Sequence, residues 1–251
     1  MKTEKRRRQM LLHLRQADAE VEELSRIFRV SASTIRRDLS ILQRQGKVSR
    51  AYGKAAIRED FSLSDEFEPS IAQKKEVFRK EKCQIAAYCA DLIHEGECIF
   101  LDSGTTPAYL YEYIRHKKVT IVTNNLLLVS RVHPKDKATI LFGSGRFDVQ
   151  HYTLTGTSYL EFLRQFHYDA CFIGVSGFDD IQKCCSCTTL EASSYKNHAM
   201  HASSRRYVIA DASKRQTHGI VNFASFDQFD AVITNAYKEQ AEAPLCFCDV
   251  V

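Results

Sequence analysis

The apolar residues change their spacing along the chain. Up to about residue 45 they recur at helical intervals, and beyond residue 96 they gather in short unbroken runs. "KRRRQMLLHLRQ" places Met10, Leu11 and Leu14 on one side behind a basic lead-in, which predicts an amphipathic helix. "AEVEELSRIFRV" sets Val21, Leu24 and Phe28 at i, i+3 and i+7 with Ile27 alongside, a short second helix. After the tight connection "RVS", "SASTIRRDLSILQRQG" predicts a third helix over 32–45. Ile35, Leu39 and Leu42 form its buried stripe, Ser31 or Ser33 caps it and Gly46 stops it. "KVSRAYGKAA" then alternates Val48, Arg50 and Tyr52 and turns at Gly53, which reads as a β-wing.

"IREDFSLSDEFEPS" is acidic and unlike both flanks. It divides the chain into residues 1–57, a linker at 58–70 and a body at 71–251. A helix is predicted from about 71 to 94, with Val77, Ile85, Ala86, Cys89, Leu92 and Ile93 on one broad side. Past it, apolar runs at 98–102, 119–123, 138–143, 169–177, 206–211 and 230–235 read as strands, and "LCFCDV" as a last one. Most of the intervals are long enough for helices. The expected fold class is therefore α/β: an N-terminal winged helix-turn-helix plus a larger α/β domain with a mostly parallel sheet.

Composition narrows this picture. With 44% hydrophobic residues in 251, a packed core is expected and wholesale disorder is excluded. No run approaches a membrane span and "MKTEKRRRQM" lacks the apolar part of a secretory signal, so a soluble cytoplasmic chain is expected, its nine Cys as free thiols. The net charge of +4 hides a split. Residues 1–56 carry 14 Lys and Arg against 6 Asp and Glu, a balance of +8, and the rest carries 21 against 25, a balance of −4. A basic module on an acidic body points to nucleic acid or to a solvated basic face, and charge alone does not choose.

The third helix chooses. Opposite its stripe stand Ser33, Thr34, Arg36, Arg37 and Ser40: short hydroxyls at the first turn, then two arginines. A helix entering the major groove needs small residues at its amino end and Arg for guanine edges or phosphates. Ser31 belongs to the same turn, and Lys47, Arg50, Tyr52 and Lys54 of the wing face the backbone. One such module reads few base pairs, so a homodimer or larger symmetric assembly is expected.

In the body, polar groups follow strand after strand. Asp102-Ser-Gly104-Thr105-Thr106 follows the first and Thr123-Asn124-Asn125 the second. Gly143-Ser144-Gly145-Arg146 follows the third, Gly174-Val-Ser176-Gly177 the fourth and Asp211-Ala-Ser213-Lys214 the fifth. Ligands of parallel sheets bind beyond the carboxyl ends of strands, and helix starts there offer N–H groups suited to phosphate. Cys184, Cys185 and Cys187 with Cys246 and Cys248 have spacings poor for tetrahedral zinc, so no metal and no cofactor is expected. Asp211 and Lys214 would suit acid–base work on a sugar, which leaves a sugar-phosphate enzyme with an attached DNA-binding module as the alternative.

"FRVSASTIRRDLSILQRQGKVSRAYGKA" resembles the N-terminal signature of the DeoR family of bacterial transcription regulators, matching at Val30, Ser31, Thr34, Ile35, Arg36, Arg37, Asp38 and Leu39. Lys54 stands where that family usually has a second glycine. "IFLDSGTT", "TIVTNN", "FIGVSGFD", "TTLEASS" and "IADASK" are similar to successive blocks of its sensor domain, so the resemblance covers roughly residues 5–235. It implies a body like ribose-5-phosphate isomerase and CoA-transferases, binding a phosphorylated sugar or related metabolite that alters operator affinity. Carried over, the pocket is Asp102, Gly104, Thr105, Thr106, Thr123, Asn124, Gly174, Gly177, Asp211 and Lys214, with Glu191 nearby. Departures are Gly143-Ser144-Gly145 for Gly-Gly, Arg215 for an aromatic and "CCSC" for a glycine before "TT". The expectation is a repressor of a carbohydrate uptake or catabolism operon.

Overall fold

The computed structural model describes residues 3–16, 18–44, 46–51, 54–58, 71–236 and 247–250. Linker residues 59–70, Tyr52 and Gly53 of the wing tip, and Cys246 lie outside the described residues. The chain forms two units, Met1–Glu68 and Pro69–Val251.

In the first unit, α1 (Thr3–Gln16), α2 (Val21–Phe28) and α3 (Ala32–Arg44) pack on β1 (Ala19–Glu20), β2 (Val48–Ala51) and β3 (Lys54–Ile57). Met10, Leu11, Leu24, Ile35, Leu39 and Leu42 are fully buried together, as their spacing requires. Burying each such side chain contributes about 1.5–3 kcal/mol. The turn between α2 and α3 is made by Arg29 in the left-handed region (φ 52°), with the Ser25 hydroxyl donating to the Val30 carbonyl at 2.6 Å. Ala19 and Glu20 do not belong to the second helix as expected. Ala19 is buried and pairs with Ala55, and Glu20 is extended (φ −82°, ψ 157°), so they make a third strand on the wing.

In the second unit, α4 (Ile71–Glu76) and α5 (Arg79–Asp91) precede β4 (Cys98–Leu101), α6 (Thr105–Ile114), β5 (Thr120–Thr123), α7 (Leu126–Val129) and β6 (Thr139–Phe142). Then come the hairpin β7 (Arg146–Asp148) and β8 (Thr153–Thr155), α8 (Thr157–Leu163), β9 (Tyr168–Ile173), β10 (Gly177–Asp179) and β11 (Cys184–Cys187). α9 (Leu190–His201), β12 (Ser203–Ile209), β13 (Val221–Ser225), β14 (Ala231–Thr234) and β15 (Phe247–Asp249) complete it. Seven parallel strands form one sheet in the order β15-β14-β12-β9-β4-β5-β6. Chain order runs outward in both directions from the β4–β9 pair, the doubly wound arrangement. Alternate residues feed opposite cores: Phe100, Val122 and Cys171 on one face, Ile99, Ile121 and Phe172 on the other.

The structure corrects two boundaries in this unit. The expected helix 71–94 is broken at Val77–Phe78, where Phe78 is left-handed (φ 53°), because the Lys82 ammonium takes the carbonyls of Lys74 and Val77 at 2.6 Å each. The run 169–177 is not one strand: β9 ends at Ile173 and Gly177 opens β10 in a separate sheet, β10-β11-β13. A Cβ on Gly177 would stand 1.9 Å from the Thr217 carbonyl oxygen, so glycine is required there for backbone approach. Cys185 and Cys187 are buried in the core beneath that sheet. No helix among the described residues is long and apolar enough to cross a membrane.

Candidate functional site

On α3 the hydroxyls form a cap. The Ser31 hydroxyl lies 2.8 Å from that of Ser33 and 2.9 Å from that of Thr34, and accepts from the Thr34 N–H at 3.3 Å. Ser33, Arg36 and Arg37 are exposed, and Thr34 and Ser40 half-buried. The Ser40 hydroxyl donates to the Arg36 carbonyl at 2.7 Å and so follows its own helix. Arg36 lies 3.1 Å from Glu22, an exposed pair of small energetic weight. Arg50 and Lys54 are exposed on the wing, and the Lys47 carbonyl closes its base by accepting from Arg58 N–H at 3.3 Å.

One residue of this helix had no role in the sequence reading. Asp38 is buried and binds Arg6 at 2.7 Å and Arg7 at 2.8 Å, fastening α1 to α3. Part of the basic lead-in is thus engaged inside the fold. The signal was an acid on the buried side of α3, beside Ile35, Leu39 and Leu42.

In the second unit the strand ends come to one edge. Leu101 pairs with Thr123 and Phe172, Thr123 with Phe142, and Ile209 with Ile233. Asp102 and Gly174 thereby meet at the β4–β9 switch point. The Gly174 N–H donates to Asp102 Oδ2 at 2.9 Å. The Lys196 ammonium from α9 bonds the same oxygen and, at 2.9 Å, the Gly174 carbonyl. Asp102 and Lys196 are both buried. Asn125 Nδ2 donates to the carbonyls of Asp102 at 3.1 Å and Gly104 at 2.8 Å, and Thr123 Oγ1 to that of Leu101 at 2.6 Å. Gly104, at φ 112°, turns the chain from this cluster into α6, whose first turn holds buried Thr105 and Thr106. Asn124 Nδ2 donates to the Leu154 carbonyl at 3.2 Å.

The other expected residues stand further out. Asp211 follows β12, two strands from Asp102. Its Oδ1 accepts from the Ser213 N–H at 3.0 Å, and its Oδ2 lies 3.8 Å from the Lys82 ammonium. Burial pushes the Lys82 ammonium below its ordinary pKa; Asp211 pulls it back up and nearby Lys214 pushes it further down. Gly143 lies against the Phe162 ring and Gly145 beside the Thr155 carbonyl. Ser144 is exposed, and so is Arg146, 3.8 Å from Glu191. Glu191 accepts from the Tyr195 hydroxyl at 2.8 Å. Gly177 belongs to the neighbouring sheet, against the Thr217 carbonyl.

Lys82 and Lys196 were missed. Each interrupts an apolar stripe: Lys82 among Ile85, Ala86 and Cys89, and Lys196 among Tyr195, Ala199 and Met200. A lysine at a core-facing position is the signal, because it is buried only with partners.

A winged helix-turn-helix followed by a doubly wound sheet with a charged cluster at its switch point defines a class of two-unit proteins, and the comparisons name the family. The DeoR-like helix-turn-helix domain matches residues 6–61 and the DeoR C terminal sensor domain residues 78–236. The chain belongs to the DeoR family of transcriptional regulators. It is 32% identical to the glycerol-3-phosphate regulon repressor of Escherichia coli (strain K12) over 86% of this chain and 83% of that one. To the uncharacterized HTH-type transcriptional regulator FruR of Bacillus subtilis (strain 168) it is 31% identical over 88% and 85%. To the putative aga operon transcriptional repressor of Escherichia coli O157:H7 it is 28% identical over 93% and 86%. Among solved structures, ribose 5 phosphate isomerase A from Neisseria gonorrhoeae overlaps 54% of this chain and 53% of its own at 16% identity, with a TM-score of 0.38.

Proposed function

We propose that the chain represses a carbohydrate uptake or catabolism operon: α3 and the wing bind operator DNA, and a phosphorylated sugar or related metabolite at the strand ends weakens that binding. The observation that carries the reading is the pairing, in one chain, of an exposed Ser33-Arg36-Arg37 face, with Thr34 half-buried beside it, and a charged cluster at the β4–β9 switch point. In this reading Ser31, Ser33, Thr34, Arg36, Arg37 and Ser40 sit at or near base edges, and Lys47, Arg50, Tyr52 and Lys54 hold phosphates.

The phosphate of the effector lies at the first turn of α6, by Gly104, Thr105 and Thr106, where N–H groups that the helix itself cannot pair meet the positive end of a ten-residue helix. Asp102, Thr123, Asn124, Asn125 and Gly174 surround its remainder. Asp211 and Lys214 border it on one side, and Gly143, Ser144, Gly145, Arg146 and Glu191 on the other; Gly177 acts at a distance through its sheet. Protomers pair as a homodimer or larger symmetric assembly to read repeated half-sites, in the cytoplasm where the DNA is. The effector binds the two DNA-affinity states unequally, since equal binding shifts nothing. Relatives named as repressors support a regulator over an enzyme.

Fluorescence anisotropy with the DNA flanking its own gene tests this. Specific binding that weakens steeply with salt and is released by a phosphorylated sugar or polyol is expected. Absence of salt-dependent specific binding overturns the DNA reading, and indifference to every phosphorylated compound overturns the sensor reading.

A further inference from the structure

Two buried polar atoms on the face of the sheet that α8 and α9 cover have no hydrogen-bond partner: Asn124 Oδ1 and the Tyr159 hydroxyl. Asn124 is 3% exposed and Tyr159 0%. Such atoms are rare in folded proteins, and each calls for an occupant or an explanation. The orientation of the Asn124 amide is settled by its other end. Nδ2 faces the Leu154 carbonyl at 3.2 Å, and turning the amide over would set two oxygens against each other. The unpaired atom is therefore an acceptor.

Both atoms belong to one face of the sheet. Phe100 and Val122 point into the same core, and Asp102 and Asn124 follow them by two positions along extended chain. Tyr159 projects from α8 into that core, its ring edge-on to Tyr195 at 5.2 Å, next to Lys196 in sequence. The Tyr195 hydroxyl is already engaged, accepting from the Gly156 N–H at 2.5 Å and donating to Glu191. Burial, with the nearby Asp102 carboxylate, holds the Tyr159 phenol protonated, so it has a proton to donate.

We propose that Asn124 Oδ1 and the Tyr159 hydroxyl form a subsite that reads a hydroxyl group of the effector, beside the place its phosphate takes. A hydroxyl donates to Asn124 and accepts from Tyr159 in one contact. The dianionic phosphate group of an ester has no proton and leaves Asn124 unpaired, so the subsite separates hydroxylated phosphate esters from a simple ester such as methyl phosphate. Both atoms are closed from solvent, so a ligand reaches them only as the surrounding side chains part. The subsite rests on the sensor reading above and adds the ligand group that is discriminated.

Calorimetry on the full chain tests it with inorganic phosphate, methyl phosphate, glycerol 3-phosphate and a panel of hexose phosphates. At least one hydroxylated ester should bind about tenfold or more tighter than methyl phosphate, and Tyr159→Phe and Asn124→Ala should each narrow that gap roughly 3- to 10-fold, the worth of one hydrogen bond. Tyr159→Phe removes an oxygen with no protein partner, so its unfolding temperature without ligand should equal or exceed that of the wild type. Methyl phosphate and hydroxylated esters binding alike, or a gap unchanged in both variants, overturns the subsite and leaves the sensor reading standing; the second result is also what a buried water at these atoms would produce. Failure of every phosphate compound to bind overturns the sensor reading and the subsite together.

Discussion

The two candidate surfaces are built in opposite ways. The face of α3 comes from one stretch, Ser31 to Ser40, and its arginines stand in solvent. The cluster at the strand ends joins Asp102 to Gly174 across 72 residues and to Lys196 across 94, with Asp102 and Lys196 both buried. An exposed surface can change without disturbing what lies beneath. A buried cluster cannot, because each member is the partner that makes another's burial tolerable. Change at the first surface should therefore alter binding alone, and change at the second should alter stability with any ligand response.

The largest expected effect is at the buried cluster. Lys196→Met leaves the Asp102 carboxylate buried without its ammonium, and should lower stability by about 3–5 kcal/mol in denaturant unfolding. A loss under about 1 kcal/mol would show that the two surfaces do not differ as described. Asp38→Ala comes next, since it strands the Arg6 guanidinium inside the first unit; about 3 kcal/mol is expected, with DNA binding falling only through unfolding. Arg37→Ala should weaken operator binding by about 1–3 kcal/mol and move the unfolding midpoint by less than about 0.5 kcal/mol. A fold loosened by that substitution would erase the contrast.

The smallest effect concerns Lys82. Its folded pKa is lowered from 10.5, so between that lowered value and 10.5 the unfolded chain holds more protons than the folded one. Its contribution to stability therefore rises with pH through that window. Across the alkaline range the unfolding midpoint of the wild type should rise by this increment relative to that of Lys82→Met. Parallel curves would mean that burial does not disfavour the charged lysine.

Much of the fold was legible because periodicity reports burial. The third helix, expected over 32–45, runs Ala32–Arg44, and the runs at 98–102 and 119–123 became β4 and β5. The break at Val77–Phe78 was not legible, since two apolar residues within a helical pattern give no stop and the cause is the Lys82 side chain. Nor was the sheet β10-β11-β13, because "CCSC" has no alternation of apolar and polar residues and its strands pair across a turn and a distant segment. At the candidate site, polar residues ending apolar runs could be read in order along the chain. Lys196 and Tyr159 could not, since nothing local records that α8 and α9 fold back over strands made earlier.

The span from Asp102 to Lys196 also sets a schedule for a chain leaving the ribosome. The first unit closes its contacts within its own short stretch, as in the bond from Arg6 to Asp38 across 32 residues. At about 5–20 residues per second, Lys196 is made roughly 6 to 26 seconds after that unit is complete. Once made, Asp102 waits until then without its ammonium, and β4 lacks the strand on one of its sides until β9 is made. A newborn molecule thus owns its grip before it owns the means of being told to let go.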